Sequence, residues 1–187
     1  MKKKIVLASQ SPRRRELMQY LNVPFEVVSP VGEEIFDESL SVEQQIEAIA
    51  LHKAKVVFEK RPDNIVIGSD TIVYYEGQVL GKPKTEERAI EMLKSLSGKT
   101  HEVITSVAIV SSNQEIVFTS KTDVEFYDLS EEEINAYVKT KEPLDKAGAY
   151  TIQAGGSVFV KEIKGDFYTV MGLPIAKIYQ TLKVHDW

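Results

Sequence analysis

The first residues that could do chemistry are serines and arginines near the start of the chain. Ser9–Ser11 follow an apolar run, and Arg13–Arg15 fall in the first turn of a helix that we expect to begin at Pro12 with Ser11 as its cap. Each cation there opposes the helix dipole by about 0.3–1 kcal/mol. Free N–H groups, hydroxyls and guanidinium groups together suit a phosphate. The alternative is that the arginines are good helix formers that point into solvent.

Asp70 is the best candidate for acid–base chemistry. It follows the apolar run Ile65–Gly68, which predicts a central strand that delivers Asp70 at its end. The carboxylate could be a general base for water, a metal ligand or both, and the alternative is an acceptor in an Asx turn or helix cap. Glu33 and Glu34 are weaker metal candidates, chosen because magnesium prefers oxygen ligands.

Two lysines complete the set of separated cations. Lys53 lies in the apolar stripe of a helix predicted from the capping box at Ser41 to about Glu59, so it needs an anionic partner or must reach solvent along its stem. Lys82 lies in a predicted turn. Several cations with one or two carboxylates indicate phosphoryl-type chemistry. The sequence has no GxxxxGK[ST] motif, which excludes a P-loop NTPase.

Composition excludes several classes of function. The 187-residue chain contains no cysteine, so disulfides, thiolate zinc sites and cysteine nucleophiles are excluded. The net charge of −5 disfavours a nucleic acid polymer or an anionic membrane as partner and fits a small polyanion bound with a metal ion. No apolar run is long enough for a membrane span or a signal peptide, so we expect a cytoplasmic protein. The three histidines show no metal-ligand spacing and are interpreted as surface or packing residues.

The elements that must position these residues alternate between strands and helices. A mixed α/β fold is therefore expected, with polar residues at the ends of apolar strands, where open sheets bind ligands. We predict strands at Phe25–Val28, Ile65–Gly68, Glu102–Val110, Ile116–Tyr127, Ser157–Ile163 and Phe167–Val170, a hairpin over Ile72–Leu80, an irregular ordered loop over Lys141–Gly156, and helices that begin near Pro12, Ser41, Thr85, Ser130 and Pro174.

Six ordered motifs between about residues 5 and 175 resemble the Maf family, formerly called septum-formation inhibitors. They are Ser9-Gln10-Ser11-Pro12-Arg13-Arg14, Gly68-Ser69-Asp70-Thr71, Gly81-Lys82-Pro83, Ser97-Gly98 with His101 and Thr105, Lys141 to Tyr150 with Ile152-Gln153, and Gly172-Leu173-Pro174.

The resemblance implies a nucleoside triphosphate pyrophosphatase that uses a divalent metal, Mg²⁺ or Mn²⁺, and acts on dTTP and UTP. It implies one domain over residues 1–187, with a two-lobed mixed-sheet α/β fold like that of inosine triphosphate pyrophosphatases and an active-site cleft between the lobes; it is also compatible with a homodimer. Asp70 matches the family's proton acceptor. The other matching positions are Arg13, Thr71 and Gln153 for base selection, Ser9, Arg13, Arg14, Lys53 and Lys82 for phosphate, and Glu34 with Asp70 for the metal.

The residues themselves are consistent with a pyrimidine substrate. A glutamine amide such as that of Gln153 offers a donor and an acceptor, which complement O4 and N3–H of uracil or thymine. Ala154 departs from the family pattern, in which glycine commonly follows the glutamine. Three alternatives stay open: a nucleotidyltransferase that releases pyrophosphate, a non-catalytic nucleotide-binding regulator of cell division, and an α/β domain whose charges are all solvated.

Overall fold

The computed structural model describes residues 4–32, 37 and 39–185. These residues form seven β-strands, six α-helices and three 3-10 helices. The strands are β1 (Ile5–Ala8), β2 (Phe25–Val28), β3 (Ile65–Tyr75), β4 (Gln78–Leu80), β5 (Thr100–Val110), β6 (Glu115–Phe126) and β7 (Val160–Lys164). The α-helices are α1 (Pro12–Gln19), α2 (Val42–Phe58), α3 (Glu86–Leu96), α4 (Glu131–Lys139), α5 (Phe167–Met171) and α6 (Ile175–Val184), and the 3-10 helices cover Glu142–Asp145, Ala147–Ala149 and Gly155–Phe159.

The seven strands form one mixed sheet. Its order is β2-β1-β3-β5-β6-β7, and β4 pairs with β3 off this path. β1 is parallel to both of its neighbours, so that Ala8 aligns with Val28 on one side and with Gly68 on the other. β4 and β7 run antiparallel to β3 and β6. The predicted mixed α/β class is therefore confirmed.

The chain divides into two compact units. The first contains the residues up to Asp70, Thr105–Ser120 and the residues from Gly172 onward, and the second contains Thr71–Ile104 and Lys121–Met171. β3, β5 and β6 contribute residues to both units. The grouping of these units into one two-lobed domain stays a prediction.

In the first unit, α2 packs its apolar stripe closely on the sheet. Ala50 and Ala54 are buried in a cluster with side chains from β1, β3 and β5. Gly68 of β3 faces the helix backbone: a Cβ atom added to Gly68 would lie 2.7 Å from the Ala54 nitrogen and closer still to the Ala50 oxygen. Only a glycine therefore lets α2 approach β3 to this distance.

In the second unit, an aromatic cluster supports the segment between α4 and β7. The Phe126 ring contacts His101 and Tyr150 edge to face, with centroids 5.0 and 4.9 Å apart. Tyr137 packs in the same geometry on Phe159 at 5.1 Å. All five side chains are buried, and such edge-to-face pairs stabilise a core beyond the area that they bury.

The chain after residue 140 differs most from the sequence prediction. The segment Lys141–Gly156, expected to be irregular, contains two 3-10 helices and the start of a third, and only the second part of Ser157–Ile163 is a strand. Phe167–Val170, predicted as a strand, lies in α5. The reason is local: the Asp166 carboxylate accepts hydrogen bonds from the backbone N–H and the hydroxyl of Thr169, both at 2.7 Å, as a helix N-cap does.

Candidate active site

Asp70 and Lys53 form an ion pair between β3 and α2. The Lys53 Nζ lies 2.7 Å from Asp70 Oδ1. Lys53 is next to Ala54, which packs against Gly68, and Asp70 lies two residues beyond Gly68 on the same face of the strand. Of the two alternatives for Lys53, the structure therefore shows the anionic partner. The side chains are 16% and 17% exposed, so the pair is shielded but still reachable by a ligand.

Asp70 lies in the middle of β3, so its prediction as a strand-end residue is wrong. β3 pairs with β1 over Ile65–Gly68 and with β4 over Val73–Tyr75. Ser69–Ile72 lie between these two paired stretches. Glycine, serine and aspartate are poor strand formers and indicated a break, but the strand continues because it resumes pairing in the hairpin with β4.

Arg14 binds two backbone carbonyls, one of which belongs to Ser69, the residue before Asp70. Its Nε donates to the Gly172 oxygen at 2.8 Å, and its Nη1 donates to the Ser69 oxygen at 2.9 Å. The buried Ser69 hydroxyl donates to the same Gly172 oxygen at 3.2 Å. These bonds join α1, β3 and the chain before α6. The role of Arg14 as a phosphate ligand stays a prediction.

Sequence reasoning missed the part that Ser69 and Gly172 play in this arrangement. The Gly172-Leu173-Pro174 motif marked the second position, but nothing in it pointed to Arg14. The partners are separated by 158 residues, and a backbone carbonyl carries no side-chain signature in a sequence.

The Ser9 side chain bonds to the backbone of the loop before α1. Its hydroxyl accepts a hydrogen bond from the Ser11 N–H at 3.1 Å. Ser11 is the N-cap residue, but its side chain makes no capping hydrogen bond, so its predicted capping role is wrong. Arg13 is half-buried and Arg15 is exposed. Ser9, Ser11 and Arg15 line a groove beside the carboxyl ends of β1 and β2.

The other predicted site residues belong to the second unit. Thr71 is half-buried in β3, whereas Lys82 and Gln153 are exposed. A hydrogen bond from Lys146 lowers the pKa of Asp145, and the positive charge of Lys82 adds to this effect. The convergence of the three residues on the ion pair of the first unit stays a prediction.

Among the described residues, Asp70 is the candidate ligand for a metal ion. Within residues 4–32, 37 and 39–185, no group of three or more His, Asp or Glu side chains could hold a metal. Asp70 offers one partly exposed carboxylate, and Glu34 lies outside the described residues. Mg²⁺ usually takes one or two carboxylates together with substrate phosphates, so a donor set of this kind suits it.

His101 is a packing residue, as the sequence indicated. It is 2% exposed, and its Nε2 lies 2.8 Å from the Tyr150 hydroxyl. Burial lowers the pKa of His101 to about 4, so the imidazole is neutral at pH 7. Within the described part of the chain its Nδ1 has no hydrogen-bond partner. His52 and His185 are exposed.

Comparisons with known proteins match nearly the whole chain. The family model described as Maf-like protein matches residues 4–185. A Bacillus cereus (strain G9842) protein named dTTP/UTP pyrophosphatase is 52% identical over 184 residues, which cover 98% of this chain and 96% of that protein. A Bacillus cytotoxicus protein of the same name has the same identity and coverage.

Two solved structures share the fold. The Ham1 protein of Staphylococcus aureus matches with a TM-score of 0.55 at 15% identity, and a HAM1 protein from Coxiella burnetii matches with a TM-score of 0.50 at 14% identity. Both alignments cover 98% of this chain and 100% of the other. They confirm the predicted mixed α/β fold, which this chain shares with Ham1 proteins. None of the helices in the described ranges has the length and apolarity needed to cross a membrane.

Proposed function

Because this chain belongs to the Maf family, we propose that it is a nucleoside triphosphate pyrophosphatase that converts dTTP and UTP into the monophosphate and pyrophosphate. Proteins that carry this name are 52% identical to it over 98% of its length. The structural observation that carries the proposal is the Asp70–Lys53 pair. The partly exposed carboxylate of Asp70, on strand β3, lies 2.7 Å from the Lys53 ammonium group on helix α2.

In the proposed reaction, Asp70 takes a proton from a water molecule. The water oxygen bonds to the α-phosphorus, the bond from that phosphorus to the bridging α–β oxygen breaks, and pyrophosphate leaves with the bond's electron pair. Lys53 orients the Asp70 carboxylate, and the positive charge of Lys53 stabilises the negative charge that develops on the phosphate oxygens. Arg14, through the carbonyls of Ser69 and Gly172, holds the strand that carries Asp70.

Divalent metal binding is part of the proposal. Asp70 and Glu34 would hold the ion, which supplies charge neutralisation across the phosphate oxygens when bound. The chain's own cations would bind the rest of the triphosphate. Ser9, Arg13, Arg14 and Lys82 are the remaining proposed phosphate ligands, and Arg13, Thr71 and Gln153 are proposed to select the base.

A panel of nucleoside triphosphates tests the reaction. Release of pyrophosphate should be measured for the common ribo- and deoxyribonucleotides, with magnesium, with manganese and with a chelator. UTP and dTTP should be the best substrates, and the chelator should stop turnover. A strong preference for purine nucleotides would refute the proposed specificity.

The Asp70→Asn variant tests the catalytic assignment. It keeps the shape of the side chain but removes its basicity, so pyrophosphate release should fall to background while the circular dichroism spectrum is unchanged. Asp63→Asn, at an exposed aspartate in the turn before β3, is the matched control and should keep wild-type turnover. Near-normal turnover by Asp70→Asn would refute the assignment.

The same assays separate the proposal from its alternatives. A nucleotidyltransferase should be nearly inert with UTP and water alone, since it needs an acceptor. A non-catalytic regulator should bind UTP without forming UMP. A cytoplasmic location and a homodimer stay predictions.

A further inference from the structure

The segment that carries Gln153 is held at both of its ends by one pair of side chains. At the first end, the Thr151 N–H donates to the Tyr137 hydroxyl at 3.2 Å. At the other end, the Gly155 N–H donates to Glu142 Oε2 at 3.3 Å. The Tyr137 hydroxyl itself donates to Glu142 Oε1 at 2.8 Å. Gln153 is exposed at the centre of residues 151–155, the segment whose two ends these bonds hold.

Packing makes this anchor rigid. Tyr137 is 6% exposed, and its ring lies edge to face on Phe159. A Cβ atom added to Gly155 would lie 3.0 Å from the Tyr137 ring and 3.1 Å from Glu142 Oε2, so the glycine backbone packs directly on the pair. Burial and the bond to Glu142 raise the pKa of Tyr137, which keeps the phenol protonated and able to donate.

Inside the segment, further backbone bonds limit its motion. The Ala154 N–H donates to the Thr151 oxygen at 3.4 Å, and the Ser157 N–H donates to the Ala154 oxygen at 2.9 Å. Just before the segment, the Tyr150 hydroxyl is hydrogen-bonded to His101 Nε2 at 2.8 Å. The exposed amide of Gln153 thus stands on a backbone whose position is set by buried neighbours.

We infer that Tyr137 and Glu142 are positioning residues that set base selectivity through Gln153. This inference rests on the proposed function, because it needs Gln153 to contact the base. A glutamine amide discriminates a pyrimidine from a purine only if its donor and acceptor face fixed points of the base, and an amide on a mobile segment can rearrange to suit either. Neither positioning residue touches the substrate in this scheme.

Tyr137→Phe and Glu142→Gln test the inference with minimal changes. The first removes only the hydroxyl and keeps the ring packing, and the second keeps the shape of the side chain but removes its charge. Both variants should lower the ratio of kcat/KM for UTP to kcat/KM for GTP by about 3- to 10-fold, the effect of one or two lost hydrogen bonds. The change should appear mainly in KM for UTP, with kcat for UTP nearly constant.

The double variants with Gln153→Ala show whether the effect passes through that residue. Gln153→Ala alone should lower the same ratio, and adding Tyr137→Phe should lower it no further, whereas independent effects would multiply. Tyr179→Phe, at an exposed tyrosine of α6, and Glu132→Gln, at an exposed glutamate of α4, are the matched controls and should keep the wild-type ratio.

The possible failures are distinguishable. If the wild-type enzyme prefers UTP but Tyr137→Phe and Glu142→Gln keep its ratio, the inference is wrong and the proposed function stands. The inference is also wrong if the two variants act fully in the Gln153→Ala background, or if they lower kcat for UTP and GTP equally. If the wild-type enzyme releases no pyrophosphate from UTP, the proposed function fails and this inference fails with it.

Discussion

The contact between Gly68 and helix α2 is so close that one added methyl group should disturb both the fold and the ion pair. In Gly68→Ala, the new Cβ would lie 2.7 Å from the Ala54 nitrogen and nearer to the Ala50 oxygen, whereas ordinary contacts begin at 3.4 Å. The obstacle is helix backbone, which cannot rotate away as a side chain can. The nearer atom, the Ala50 oxygen, sets the displacement, so the helix must retreat by about 1 Å to restore an ordinary contact.

The size of the effect follows from this displacement. Overpacking of a core costs about 1–3 kcal/mol, and an obstacle made of backbone places Gly68→Ala in the upper part of that range. For a chain of this size we expect the melting temperature to fall by about 4–10 °C. Lys53 is carried by the displaced helix and Asp70 by the strand, so their 2.7 Å contact should lengthen. A displacement of this size in the position of a catalytic group lowers kcat by about 10- to 100-fold.

Calorimetry and pyrophosphate release from UTP, assayed well below the melting temperature, measure the two effects separately. Gly81→Ala is the matched control, because a Cβ at Gly81 would meet no atom within 4 Å and the residue has no left-handed φ. It should keep the wild-type melting temperature or raise it slightly through the entropy of the unfolded chain. A Gly68→Ala protein that melts within about 1 °C of wild type and turns over UTP normally would refute this account of how α2 and β3 are placed.

Three further predictions address the ion pair, the buried histidine and a helix cap. Lys53→Met should lower kcat for UTP by about 10- to 100-fold through loss of the charged hydrogen bond to Asp70. Equal kcat values for the wild type and this variant would contradict the role of Lys53 in orienting Asp70. The unfolded chain protonates His101 below about pH 6.5 and the folded chain only below about pH 4, so the free energy of unfolding should fall by up to about 3 kcal/mol as the pH drops through this window. When the free energy of unfolding is measured by urea denaturation at several pH values, His101→Phe should lack this decrease. Asp166→Ala should cost about 0.5–2 kcal/mol in the same assay by removing both bonds to Thr169, and an unchanged midpoint would show that the cap is dispensable.

Local signals explain why most helices could be predicted. The capping boxes at Ser41 and Ser130 connect residues three positions apart, so the sequence contains both partners of each bond, and the structure shows both boxes. The same kind of signal was available at Asp166 and Thr169. It was overlooked because Phe167–Val170 is rich in aromatic and β-branched residues, which favour a strand when pairing partners exist.

Contacts between distant residues explain what the sequence could not predict. The apolar stripe around Lys53 showed that the lysine needed a partner but not that the partner was Asp70. Arg14 carried even less information, because an arginine has five N–H donors and any carbonyl of the chain can accept from them. Its bonds to Ser69 and Gly172 depend on where α1 and α6 meet the sheet.

The position of Asp70 within a continuous strand, rather than at its end, changes how its side chain is held. A strand-end acid would sit on a loop, whereas Asp70 has paired stretches of β3 before it at Gly68 and after it at Val73. Between them, the Ser69 carbonyl accepts a hydrogen bond from Arg14 Nη1. Sites built on strands hold their groups more precisely than sites built on loops. Arg14 therefore contacts β3 between the stretch that pairs with β1 and the stretch that pairs with β4, and the strand keeps the Asp70 carboxylate 2.7 Å from Lys53 Nζ.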